Sequence, residues 1–150
     1  MVVAALLLCT DGSELALAAL ARGLEVVSPH ERVVVATAVA ITHPGDVLGT
    51  GMAGGVVSVE AAVSQDQAAE RAGQRAMEET CRQLGLDGAE TVLLHGSAGP
   101  ALCQLAAELP ADVIVIGSRG LGGLRRAMLG SVSDHVVRNA PCPVVVSPVA

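Results

Sequence analysis

Short apolar runs recur along the chain at Val2–Leu8, Val33–Ile41, Thr91–Leu94, Val113–Ile116 and Val144–Val146. They show little period-two alternation, the pattern of strands covered on both faces in a parallel sheet. Between them, apolar residues return at helical spacing: Leu17, Leu20, Leu24 and Val27 in the first connection, Leu102, Leu105, Ala106 and Leu109 in the third, Val132 and Val136 in the last. The second connection, roughly residues 59–84, puts Ala69, Ala72, Gly73, Ala76, Met77 and Cys81 on one side, so its helix can lie close to a sheet. The predicted order is βαβαβαβαβ, a doubly wound α/β fold around a five-stranded parallel sheet. In such folds ligands settle beyond the carboxyl ends of the strands, near the point where strand order reverses. One connection, Thr42–Ser58, is long and irregular and reads as a surface flap.

Composition narrows the function. A chain of 150 residues with 51% apolar content supports one domain spanning residues 1–150. It has no Phe, Tyr or Trp, so the core is built from small branched side chains, and a net charge of −6 leaves neither stacking platforms nor a basic groove for nucleic acid. No apolar run reaches 18 residues, and Met1–Leu8 lacks a basic start and a cleavage site. The expected location is cytoplasmic, with no membrane partner. Cys9, Cys81, Cys103 and Cys142 form no CxxC pair and read as small buried hydrophobes. His30, His43, His95 and His135 are equally scattered and read as ordinary structural or surface histidines.

Two glycine-rich segments compete as ligand loops. Gly49–Gly54 spells G-x-G-x-x-G, but it does not follow directly on a strand, and Glu70, the acidic residue at the required distance, falls inside a predicted helix. The dinucleotide reading therefore fails on placement. Gly117–Ser131 begins where the strand Val113–Ile116 stops. Its glycines at 117, 120 and 130 remove the Cβ atoms that would hold a phosphate off the backbone, and they permit positive φ. Ser131 then opens the last helix, whose first N–H groups and positive dipole end suit an anion. A purely local reading stands beside this one: Ser131 with Asp134 fits the S-x-x-D capping box.

The pattern G-x-x-G-x9-G-S, followed by a short helix and Pro141-Cys142-Pro143-Val144-Val145-Val146, resembles the universal stress proteins of the ATP-binding subgroup. The resemblance spans the chain, from a first strand ending in Asp11-Gly12-Ser13-Glu14 to the Ala111–Gly120 strand and loop. It implies a Rossmann-like sheet of the adenine nucleotide alpha hydrolase type, with strand order 3-2-1-4-5. It further implies that Gly117, Gly120, Gly130, Ser131 and Val132 contact the ribose and phosphates of ATP, that backbone near Val39 meets the adenine edge, and that Ile116 packs nearby. Asp11 would lie beside the nucleotide and is the carboxylate for an accompanying Mg²⁺. Locally, Asp11 also reads as an N-cap with Glu14 three residues on. Arg119, Arg125 and Arg126 read as solvated rather than as phosphate ligands. Cys9 stands where the family often has proline, two residues before the aspartate.

The chain has no lysine, no GxxxxGK[ST] loop and no base beside the motif, so it reads as a binder with at most slow ATP hydrolysis. Cys9-Thr10-Asp11-Gly12-Ser13 holds one glycine, too few for the phosphate loop of an adenylating enzyme. The alternative is an interaction protein without nucleotide, a homodimer joined through Val144–Val146, as the resemblance implies; pairing would also cover an aggregation-prone edge.

Overall fold

The computed structural model describes residues 3–27, 30–41, 58–119 and 129–148. In chain order they form β1 (Val3–Cys9), α1 (Glu14–Val26), β2 (His30–Val39), α2 (Val59–Gln83), β3 (Glu90–His95), α3 (Ala98–Glu108), β4 (Val113–Gly117), α4 (Ser131–Asn139) and β5 (Val144–Ser147). The five strands pair in parallel in the order β3-β2-β1-β4-β5, the expected class and order. Each apolar run is a strand and each helical spacing a helix.

The boundaries differ most at β2, which starts at His30 rather than Val33 and stops at Val39 rather than Ile41. His30 and Arg32 lie opposite Val3 and Ala5 of β1, and the Arg32 guanidinium donates to both carboxylate oxygens of Glu90 on β3 at 2.6 and 2.8 Å. This end of the strand is held by backbone pairing and an exposed ion pair. Hydrophobic patterning does not register either.

The chain winds outward from β1 to β3 through α1 and α2, then crosses back to β4 and β5 through α3 and α4. Right-handed crossovers therefore put the two helix pairs on opposite faces of the sheet. Leu6, Leu8, Val35, Val113 and Val115 meet Leu20 of α1 and Met77 of α2 on one face. Leu7, Cys9, Val34, Ala36, Ile114 and Ile116 meet Leu102, Leu105 and Ala106 of α3 and Val136 of α4 on the other. Alternate strand residues feed opposite cores, which is why the runs lack alternation.

Without aromatic rings the layers sit close. A Cβ on Gly23 of α1 would lie 2.3 Å from Cγ1 of Val115, so only glycine lets the helix rest against β4 at that point.

Candidate functional site

Strand order reverses between β1 and β4. Cys9 is in register with Ile116, so the loops that follow the two strands leave the carboxyl edge of the sheet side by side. Val39, the last residue of β2, lies at the same edge in register with His95 of β3. Its carbonyl accepts from Gly96 N at 2.9 Å, which fixes the end of the strand.

The loop after β1 is braced from below. Thr10 N donates to Ala36 O at 3.0 Å, and the buried Thr10 hydroxyl meets the Thr80 hydroxyl of α2 at 3.2 Å. Thr80 donates its own proton to Ala76 O at 2.7 Å, so Thr10 is the donor of that pair and accepts from Gly12 N at 3.1 Å. Gly12 has φ +78°, and a Cβ there would lie 2.6 Å from the Ala76 methyl. Glycine is thus required twice at one position, by conformation and by space.

Asp11 is not the N-cap. Ser13 caps α1, its Oγ accepting from Ala16 N at 3.1 Å, while Asp11 Oδ1 accepts from Ser13 N at 2.9 Å and Ser13 Oγ at 2.6 Å. The aspartate orients the capping serine and sits half-buried at the reversal point.

The loop after β4 closes on itself. Gly117 is fully buried, Ser118 N donates to Ser147 O of β5 at 2.9 Å, and Ser118 O accepts from Gly130 N at 2.8 Å. Ser133, 2% exposed, adds its hydroxyl at 3.0 Å from both Ser118 O and Gly130 O. The chain therefore leaves at Ser118 and returns at Gly130 through a hydrogen-bonded neck.

Two local expectations are corrected at this neck. The capping box is not formed: Gly130 is the N-cap, Ser131 is the exposed first residue of α4, and Asp134 spends its carboxylate on Arg138 Nε at 3.0 Å. Neither Gly117 nor Gly130 uses positive φ; Gly130 sits at φ −65° and ψ 159°.

With no side-chain cap, the first intrahelical bond of α4 is Asp134 N to Gly130 O at 2.9 Å. The N–H groups of Ser131, Val132 and Ser133 precede that ladder at the positive end of the helix. By contrast α2, like α1, has its own serine cap, Ser58 Oγ accepting from Ala61 N at 3.2 Å. Ile116 is buried in the α3/α4 core, with Val132 packed against the same cluster, so these two side chains seat the start of α4 on β4. Asp11, Ile116, Gly117, Gly130, Ser131 and Val132 thus gather at the reversal point, with Val39 beyond β1 at the same edge. Gly120, Arg125, Arg126, His43 and residues 42–57 lie outside the described residues; Arg119 is half-buried.

Among the described residues no group of three or more His, Cys, Asp or Glu side chains could hold a metal ion, and no helix is long and apolar enough to cross a membrane. The four thiols are free, and burial pushes each above the ordinary thiol range, Cys9 furthest. His95 instead pairs with Glu70 of α2 at 2.8 Å, half-exposed beside the end of β2.

Sequence reasoning missed Ser118, Ser133 and the Thr10–Thr80 link. The one available signal was Ser133, a polar residue on the same helical stripe as Val136. Ser118 and Thr80 act through contacts between distant segments and carry no local mark.

Comparison with known proteins agrees with this fold. A universal stress protein from Thermus aquaticus is 39% identical over 83 residues, 53% of this chain and 61% of that protein. The chain spans less than half the length of the next two curated relatives it matches. Among solved structures, a universal stress protein in complex with cAMP superposes with TM-score 0.62 at 24% identity, covering 99% of this chain and 98% of that one. A universal stress protein family protein from Arabidopsis thaliana with AMP bound gives TM-score 0.65 at 20% identity, covering 98% and 92%. The five-stranded parallel sheet is the fold of these proteins, and the model of the universal stress protein family matches residues 4–148: the chain belongs to that family.

Proposed function

We propose that this chain binds an adenine nucleotide, ATP with or without Mg²⁺, between the ends of β1 and β4. It would act as a cytoplasmic, nucleotide-dependent stress-response module in one domain, residues 1–150. Gly130 carries the reading. Its backbone angles suit any residue, and among the described residues a Cβ there would meet only ordinary contacts, the nearest Ser118 O at 3.5 Å. Among the described residues neither strain nor packing calls for glycine. An anion seated on the uncapped start of α4 does, because a Cβ at the N-cap would hold it away from the N–H groups of Ser131, Val132 and Ser133.

In this reading Gly117, Gly120, Gly130, Ser131 and Val132 surround ribose and phosphates, Ile116 supports them from the core, and backbone at Val39 meets the adenine edge. Asp11, oriented by Ser13, is the carboxylate beside Mg²⁺. The AMP and cAMP held by two family members support an adenine ring as the common element. With no lysine in the chain, hydrolysis is at most slow. Calorimetric titration with ATP, AMP, cAMP and adenosine tests this, together with mass analysis of ligand carried through native purification. Binding of a phosphate-bearing adenine nucleotide is expected, and its absence at millimolar concentration overturns the reading.

A second reading, a homodimer that works without nucleotide, is favoured by β5. Among the described residues this strand pairs with β4 alone, leaving one edge of Val144–Val146 open. Sizing of the purified chain decides: a 15.0 kDa monomer removes the dimer. A dimer that persists in a Gly130→Val variant unable to bind ATP would separate the two roles.

A further inference from the structure

We propose that Ser133 is a positioning residue of the anion site, aiming backbone donors on both sides of the neck; the proposal rests on the nucleotide reading above. The Ser133 hydroxyl shares one proton between Ser118 O and Gly130 O, each at 3.0 Å, from a side chain only 2% exposed. Each carbonyl belongs to a rigid trans peptide plane whose other polar group points the opposite way. The plane of Gly130 O carries Ser131 N–H, and the plane of Ser118 O carries Arg119 N–H. Holding the carbonyls on Ser133 turns the N–H of Ser131 and of Arg119 away from it, and the Ser131 donor faces outward at the start of α4.

Both carbonyls also have a backbone donor of their own. Ser118 O keeps Gly130 N at 2.8 Å, and Gly130 O keeps Asp134 N at 2.9 Å. Ser133 therefore adds a second anchor to carbonyls that are already paired. A second anchor restricts rotation of the peptide plane, and glycine at 130 has no Cβ to restrict it. The geometry explains a buried serine on an otherwise apolar stripe: it supplies orientation to a donor that glycine leaves loose.

The test compares S133T with S133V, side chains of equal size that differ in the hydroxyl, alongside S133A. Affinities for ATP and for adenosine are measured by titration, and amide exchange at Gly130 and Ser131 is followed in the ligand-free protein. In S133A and S133V, ATP affinity is expected to fall about five- to tenfold with adenosine affinity unchanged, the scale of one lost hydrogen bond. S133T is expected to restore the ATP-to-adenosine ratio, and exchange at Gly130 to rise in S133V but not in S133T. An unchanged ratio in S133V, or an equal fall for adenosine, overturns the proposal. So does unchanged Gly130 exchange, and this arm needs no ligand. If the wild-type protein binds no adenine nucleotide, the nucleotide reading fails separately, while the exchange arm still decides whether Ser133 holds the neck.

Discussion

Cys9 of β1 lies opposite Ile116 of β4, and this register places the loop bearing Asp11 next to the loop that closes at Gly130. The two segments are more than a hundred positions apart in sequence, yet both leave the sheet at the point where strand order reverses. The candidate site follows from that one pairing.

Gly130 separates ligand chemistry from stability. Gly130→Ala places a methyl in ordinary van der Waals contact among the described residues, nearest Ser118 O at 3.5 Å, and losing glycine at an N-cap costs under about 1 kcal/mol. Chemical denaturation should show that small loss, while ATP affinity falls tenfold or more. A large stability loss with unchanged ATP affinity would reverse the assignment.

Gly23 behaves in the opposite way. In Gly23→Ala the new methyl meets Val115 Cγ1 at 2.3 Å, in the middle of a filled core. Overpacking of this kind costs about 1–3 kcal/mol, outweighing the gain in helix propensity of under about 1 kcal/mol. Combined with Val115→Ala, which removes the opposing methyl, the pair should show a favourable coupling above about 0.5 kcal/mol in a double-mutant cycle.

Thr80 braces the Asp11 loop from α2, wholly buried and bonded to the Thr10 hydroxyl. Thr80→Val keeps the volume and removes the acceptor for the Thr10 proton. The expected cost is about 1–2 kcal/mol, with faster amide exchange at Gly12, whose N–H rests on Thr10 Oγ1. Exchange at Gly12 identical to wild type would show that the loop is braced elsewhere.

The thiols give stability an alkaline limit. Burial raises the Cys9 thiol above its unfolded value, with Cys103 and Cys142 raised in the same direction. The folded state therefore favours the neutral thiol. That contribution is complete below the unfolded value of about 8.5 and is lost progressively as pH rises beyond it, because the unfolded chain ionises first. Denaturation midpoints should be insensitive to these thiols between pH 6 and about pH 8 and decline above about pH 9. A Cys9→Ala variant should decline less steeply.

The sequence by itself determined the architecture. Five unalternating apolar runs joined by helical spacings specify a two-faced parallel sheet, because each strand residue must enter one core or the other, and the right-handed crossover rule limits how the helices are shared between the faces. It also located the loop after β4, since glycines directly after a buried strand are visible in one dimension. Tertiary structure decided what the site residues do. Asp11 and Ser131 both carried local capping signatures, yet Ser13 and Gly130 hold those positions, because a cap depends on where the helix starts, and patterning leaves that uncertain by a residue or two. The neck at Ser118, Gly130 and Ser133 and the Thr10–Thr80 brace join segments far apart in the chain, and no local periodicity records such contacts. At Gly117–Ser131, the sequence named the glycines, and the fold showed that Gly130 is the N-cap of the last helix and adopts no unusual backbone angle.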